Sequence, residues 1–261
     1  SSLVPAGGTC LSGNNTGNGY ASITWIPVNL VVNPTSTNVT CFGNNNGTAS
    51  VSTTGGVSPY SYSWSSGAST TSTANNLFAG NISVTVTDAN SCTATDSVLI
   101  SEPSAISISN TKVDVLCNGN TTGSINITET GGISPYTYSW TGPSSYTAST
   151  EDITNLAAGS YTITVTDANS CVKSSTIVIT QPTAISITST KVNVLCNGAS
   201  TASIDLTVSG GTPIYTAAWT GPGTFAATTE DLSSLIAGTY NVTITDNNLC
   251  TATKLFTLTE P

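Results

Sequence analysis

Leu156-Ala157-Ala158-Gly159-Ser160-Tyr161-Thr162-Ile163-Thr164-Val165-Thr166-Asp167-Ala168-Asn169-Ser170-Cys171 is the stretch on which the reading of this chain turns. Tyr161, Ile163 and Val165 alternate with Thr162, Thr164 and Thr166, the two-residue period of a strand with one buried face. Asp167-Ala168-Asn169-Ser170 is turn chemistry, and Ser175–Thr180 supplies the returning strand of a hairpin.

The same pattern stands at Leu77–Cys92 and Leu235–Cys250, so the chain is read as a repeat. Cys41, Cys117 and Cys196 follow one another at 76 and 79 residues, as do Trp64, Trp140 and Trp219. Asp88, Asp167 and Asp246 are 79 apart, and Pro27, Pro103, Pro182 and Pro261 fall at 76, 79 and 79. Three units follow, at 28–103, 104–182 and 183–261. The first lacks three residues between Trp64 and Leu77, in a Ser/Thr-rich loop where length changes are tolerated. Residues 1–27 read as the tail strand of a preceding repeat or an N-terminal extension. In it Ala21, Ile23 and Trp25 alternate where Thr176–Pro182 lies in the second unit. The register suggests a window on a longer array.

Each unit reads as six or seven short strands with turn signals every 8–12 residues, the mark of a β-sandwich. In the second unit Ala105–Cys117 is an extended first strand and Ser124–Thr130 a second. Tyr136, Tyr138 and Trp140 lie at i, i+2, i+4 on a third. A buried Trp on a middle strand and Leu-x-x-Gly-x-Tyr before an alternating strand resemble an immunoglobulin-type sandwich and its tyrosine corner. The expected fold is all-β, a tandem array of immunoglobulin-like sandwiches. Its core markers are Trp64, Trp140, Trp219, Tyr136, Tyr161 and Tyr240. The third unit has Ala217 at the Tyr138 place and Ile214 at the Pro135 place, so its core must repack. Short Pro-containing joints, Glu102-Pro103-Ser104 and Gln181-Pro182-Thr183, predict a stiff rod.

Composition closes off most functions. Only 7% of the 261 residues are charged, the net charge is −9, and there is no Arg, His or Met. Four Lys against thirteen acids cannot supply the basic footprint of a nucleic-acid binder. Without His there is no His-based acid–base chemistry and no His-containing metal site. Ser and Thr fill about a third of the chain, and the apolar stretches are strand-sized, so no membrane-inserted segment is expected. The hydrophobic fraction of 38% argues against disorder. Ser1–Gly8 lacks the basic and apolar regions of a signal peptide. No enzyme and no cofactor are expected.

Seven cysteines, two in each complete unit, indicate disulfides and an extracellular setting. The absence of Cys-x-x-Cys and of His speaks against zinc. Two pairings compete. Counting favours bridges within each unit, Cys41–Cys92, Cys117–Cys171 and Cys196–Cys250, with Cys10 unpaired. A sandwich that places its first and last hairpins at opposite ends favours bridges across the joints, Cys41–Cys171 and Cys117–Cys250. The pairing within units is the preferred expectation.

The unit, as the second copy carries it in full, reads Cys-Asn-Gly-x-x-x-Gly-Ser-Ile, Gly-Gly-x-x-Pro-Tyr-x-Tyr-Ser-Trp and Leu-x-Ala-Gly-x-Tyr-x-x-x-Val-x-Asp-Ala-Asn-x-Cys, then Pro. That order resembles the SprB repeat of gliding and adhesion proteins from Bacteroidota, over residues 28–261. The resemblance implies a very large cell-surface adhesin exported by type IX secretion. In such proteins the repeats often form the stalk.

Sharper readings of single features compete with plainer ones. The Tyr60-Tyr62-Trp64 and Tyr136-Tyr138-Trp140 stripes are read as core, not as sugar platforms. The Thr162/Thr164/Thr166 and Asn241/Thr243/Thr245 ladders are read as a solvated strand face, not an ice-binding array. Asp88, Asp167 and Asp246 are read as hairpin caps, since calcium wants several acids. Glu151-Asp152 and Glu230-Asp231 are better paired, but Ala74-Asn75 takes their place in the first unit. Asp96-Ser97-Val98 makes Ser97 a candidate O-glycosylation site. The leading functional expectation is a non-enzymatic stalk or filament shaft whose partners are neighbouring repeats or subunits. The alternative is a self-assembling filament or surface-layer subunit joined by strand addition through residues 21–26. A glycan-binding module, with surface glycans as partner, is the lesser alternative.

Overall fold

The computed structural model describes residues 9–12, 26–65, 67 and 69–261, with side chains from Asn29 onward. The regular structure of these residues is β apart from a short 3-10 turn at Pro143–Ser145. The chain forms two compact units. One holds residues 1–107, 129–136 and 166–173; the other holds 108–128, 137–165 and 174–261.

In the first unit, Val31–Thr37, Gly47–Thr54 and Thr73–Leu77 make one antiparallel sheet. Ser61–Trp64, Gly80–Thr87 and Thr93–Ile100 make the other. Apolar residues at alternate positions give each sheet its inner face. Ala49, Val51, Trp64, Leu77, Val84, Val86 and Ile100 bury together, while Ser50 and Ser52 stay outside. Thr9–Ser12 pairs antiparallel with Ile26–Asn29 ahead of this sandwich.

In the second unit the third repeat is complete. Ser186–Val192, Ala202–Ser209 and Leu232–Leu235 form one sheet; Ala226–Ala227, Thr216–Thr220, Gly238–Thr245 and Thr251–Leu258 form the other. The second repeat has the same strand order. Ser107–Val113, Gly123–Thr130 and Ile153–Leu156 stand in one sheet, and Tyr146–Ala148, Thr137–Gly142, Gly159–Thr166 and Val172–Ile179 in the other. First, second and fifth strands against third, sixth and seventh is the arrangement of an immunoglobulin-like sandwich. The protein is a tandem array of such sandwiches.

Trp64, Trp140 and Trp219 are the centres of these cores, each at most 3% exposed. Each indole N–H donates to a main-chain carbonyl, of Thr71, Thr150 or Thr229, so burial leaves no polar group unpaired. Tyr161 and Tyr240 are buried, and their hydroxyls donate to the carbonyls of Ala157 and Ile236, four residues back. Tyr146 and Phe225 meet these rings edge-on, at 5.4 and 5.2 Å between centroids. In the first repeat Ile82 takes the Tyr place.

Two expectations need correction. Tyr136 is not core: it is half-buried, precedes the strand Thr137–Gly142, and its hydroxyl donates to the Gly131 carbonyl. Tyr60, Tyr62 and Tyr138 are half-buried too. Only the Trp of the stripe is fully enclosed, while Tyr60 and Tyr62 pack as partly buried rings against the core that holds Trp64. The first strand of the second repeat ends at Val113, not Cys117. Beyond it, Thr180 N–H donates to Asp114 Oδ1 and Val115 N–H to the Thr180 carbonyl, which replaces the ladder with a side-chain bond. Asn38 and Asn193 accept from Ser101 and Thr259 in the same way.

Repacking in the third repeat is visible at Ala217, 8% exposed, while Ile214 is exposed at φ +94°, a region costly for a β-branched residue. Trp219→Ala should lower stability by about 3–5 kcal/mol, and Tyr240→Phe, which loses only the corner hydrogen bond, by about 1 kcal/mol. Denaturant titration of the two variants beside the parent chain measures both. Equal effects would contradict the Trp-centred core.

Candidate functional site at the repeat junctions

The residues that repeat most closely converge where one repeat meets the next. The first junction lies within the first unit and the second within the second. Each is built from three loops.

The last hairpin is fixed by its aspartate. Asp167 Oδ1 accepts the main-chain N–H of Asn169 and Cys171 at 2.8 and 2.9 Å, and Oδ2 that of Ile133 at 2.9 Å. Asp246 takes Asn248, Cys250 and Thr212 at 2.9, 2.9 and 2.8 Å. Asp88 takes Asn90, Cys92 and Val57 at 2.9, 2.9 and 3.0 Å. All three carboxylates are buried. Burial pushes the Asp167 and Asp246 carboxyls up, but three N–H bonds to the charged form outweigh it and hold both below the ordinary value. These aspartates cap hairpins and hold the following cysteine in place.

The second loop is the Gly-Gly turn. Gly131 has φ +76°, and a Cβ there would stand 2.0 Å from the Ala105 carbonyl oxygen; Gly210 and Ala184 repeat this at φ +78° and 2.0 Å. Gly132 and Gly211 donate to the carbonyls of Ser104 and Thr183, at 2.8 Å each. The chain leaving Pro103 or Pro182 is thereby pinned beneath the turn, at a separation only glycine permits.

The third loop carries the other cysteine. Leu116 N–H donates to Thr122 Oγ1 and Asn120 N–H to the Cys117 carbonyl, at 3.0 and 3.1 Å. Gly119 N–H donates to Gln181 Oε1 at 2.8 Å, tying this loop to the end of its own last strand. In the first repeat Gly43 N–H donates to Glu102 Oε2 at 2.6 Å.

Across each junction a disulfide forms. Cys41 bonds Cys171 with Cα atoms 5.7 Å apart, and Cys117 bonds Cys250 at 5.5 Å. Beside them Asn169 Nδ2 donates to the Thr40 carbonyl at 2.9 Å, and Asn248 Nδ2 to that of Leu116 at 3.2 Å. Matching clefts of about 380 and 330 Å³ lie against the two bridges, lined in part by Pro103 and Asp167 or Pro182 and Asp246.

The pairing within repeats is therefore overturned. In the third repeat Cys250 precedes the strand Thr251–Leu258, whereas the loop of Cys196 is bonded to Glu260 and Pro261 beyond it. Eight residues at ~3.3 Å put roughly 25 Å between the two cysteines, far beyond disulfide reach. Cys196 is free and exposed, and Cys92 is disulfide-bonded. The expectations for the Cys10 side chain and for Ala21, Ile23 and Trp25 as a donor strand lie outside the described residues.

The remaining candidates have structural surroundings. Asp152 accepts from Ile127 N–H and Asn126 Nδ2, and Asp231 from Leu206 N–H. Among the described residues no cluster of three His, Cys, Asp or Glu is placed to hold a metal. Thr162 and Thr164 are half-buried and pair with the hydroxyls of Thr176 and Ser174, both at 2.9 Å. Ser97 is exposed on the strand Thr93–Ile100. From sequence Asn169 and Gly131 stand only as turn residues; the fixed place of Asn169 and Asn248 two residues after the hairpin Asp was the available signal for their contact across the junction.

The profile of the SprB repeat matches residues 33–69, 109–145 and 188–224, the part of each repeat that carries the loop cysteine and the tryptophan. Three stretches of this chain are thus similar to that repeat, in the register of its cysteines. No curated protein matches the chain. Among solved structures it is similar to the N-terminal eight Ig domains of Down Syndrome Cell Adhesion Molecule isoform 1.30.30. Identity is 9% over 97% of this chain and 39% of that one, with a TM-score of 0.43. For Sidekick-1 immunoglobulin domains 1–5 the values are 14%, 97%, 65% and 0.35. The chain spans less than two thirds of either.

A carboxyl depressed in the folded state stabilises above its unfolded pKa, about 3.9 for Asp, and loses that contribution as pH falls through the folded value. Asp167→Asn and Asp246→Asn should lower the denaturation midpoint at pH 7. They should also flatten its decline on acidification below about pH 4. Denaturant titrations at several pH values check both; an unchanged acid limb would remove these carboxylates from the account.

Proposed function

We propose that this chain is part of the non-enzymatic repeat stalk of a large bacterial cell-surface adhesin, which holds an adhesive tip away from the cell. Gliding motility and type IX export belong to the same reading, through the likeness to the SprB repeat. The observation that carries it is the bridging of each junction from the loop of one repeat to the hairpin of the next. Such bonds persist in an oxidising, extracellular compartment. Neighbouring repeats are the partners this reading assigns.

The two bridges overlap along the chain, Cys117 lying between Cys41 and Cys171, and Cys171 between Cys117 and Cys250. The shortest covalent path from Cys41 to Cys250 therefore runs through both bridges and only the segment 117–171. Under tension the part of the chain between Cys41 and Cys250 cannot span more than that segment, even with every strand unfolded. A tether on a cell surface needs this property; a soluble ligand-binding module does not.

Pulling the chain between handles attached next to Cys41 and Cys250 in a single-molecule instrument tests the reading. Adding a reductant should release about 50 nm of further extension, at ~3.4 Å per residue. Full extension without reductant would count against a disulfide-secured stalk.

A further inference from the structure

Cys196 occupies in the third repeat the place that Cys41 and Cys117 occupy in the first two, and both of those hold a hairpin cysteine. Its loop is built the same way. Leu195 N–H donates to Thr201 Oγ1 at 3.0 Å and Ala199 N–H to the Cys196 carbonyl at 3.0 Å. Gly198 N–H donates to Glu260 Oε2 at 2.8 Å. The counterparts around Cys117 are Leu116 to Thr122, Asn120 to Cys117 and Gly119 to Gln181. The Leu195 carbonyl stands where the Thr40 and Leu116 carbonyls accept an Asn side chain. Leu195 itself is 69% exposed.

We infer that Cys196 and the Leu195 carbonyl are the receiving half of a third junction. The occupant is the Asp-x-Asn-x-Cys hairpin of a further sandwich of this same repeat, joined after Pro261. At both formed junctions the hairpin belongs to the repeat that begins directly after the corresponding proline, Pro103 or Pro182. The hairpin asparagine donates to the Leu195 carbonyl as the thiols meet. Two thiols lose two protons and two electrons to form the bond, and an oxidised disulfide such as glutathione disulfide takes them up as two thiols. This inference rests on the junction geometry and is independent of the stalk reading, which the pulling experiment tests separately.

The test extends the full chain after Pro261 with a second copy of residues 183–261 in which the copy of Cys196 carries the change Cys196→Ser, refolded in a glutathione redox buffer. Peptide mapping under non-reducing conditions then locates the partner of Cys196. The expected result is a bridge from Cys196 to the appended copy of Cys250, with loss of Cys196 alkylation and with Cys41–Cys171 and Cys117–Cys250 retained. A second extension with a copy of residues 104–182, whose hairpin carries Cys171, serves as an independent arm if the first chain misfolds. Cys196 left free, or found only in dimers between chains while the two native bridges stand, would overturn the inference.

Discussion

A buried carboxylate that accepts three main-chain N–H groups is the interaction on which each junction depends. Asp167 closes its own hairpin through Asn169 and Cys171 and fastens that hairpin to the preceding turn through Ile133. This places the Cys171 sulfur and the Asn169 amide side by side, toward Thr40 and Cys41. A short neutral side chain could not accept all three bonds. Asp246 repeats the arrangement with Thr212, and the bridge to Cys117 follows. The Gly-Gly turn serves the same end, by holding the chain that enters each repeat against the turn the carboxylate secures.

Much of this was legible in the sequence because the signal was periodic. Tyr161, Ile163 and Val165 are buried and Thr162, Thr164 and Thr166 half-buried, as their alternation requires. What periodicity does not encode is position along a strand or end of a sandwich. Tyr136 and Trp140 share a face, yet only Trp140 is enclosed. Counting cysteines paired Cys196 with Cys250, whereas the strand Thr251–Leu258 holds them a strand's length apart. The reach of a disulfide decides such a case, and the geometric alternative weighed from sequence is the one that forms. Asn169 and Asn248 read as ordinary turn residues; their role across the junction depends on a loop some 130 residues earlier.

The unusual composition also has a structural counterpart. Outward strand positions carry Ser and Thr that pair across the ladder, as Thr85 does with Thr95 at 2.8 Å and Thr162 with Thr176 at 2.9 Å. Hydroxyl pairs of this kind stabilise a sheet face without charge. The few charges have local tasks instead. Lys112 pairs with Asp114 and donates to the Val178 carbonyl, and Lys191 to that of Thr257. A chain built this way relies on sandwich cores and covalent junctions.

The most direct measurement of the central claim is the disulfide map of the oxidised chain, by non-reducing digestion and mass spectrometry. The account predicts linked peptides for Cys41 with Cys171 and for Cys117 with Cys250, with Cys196 open to alkylation. Peptides that link Cys41 to Cys92 or Cys117 to Cys171 would contradict it.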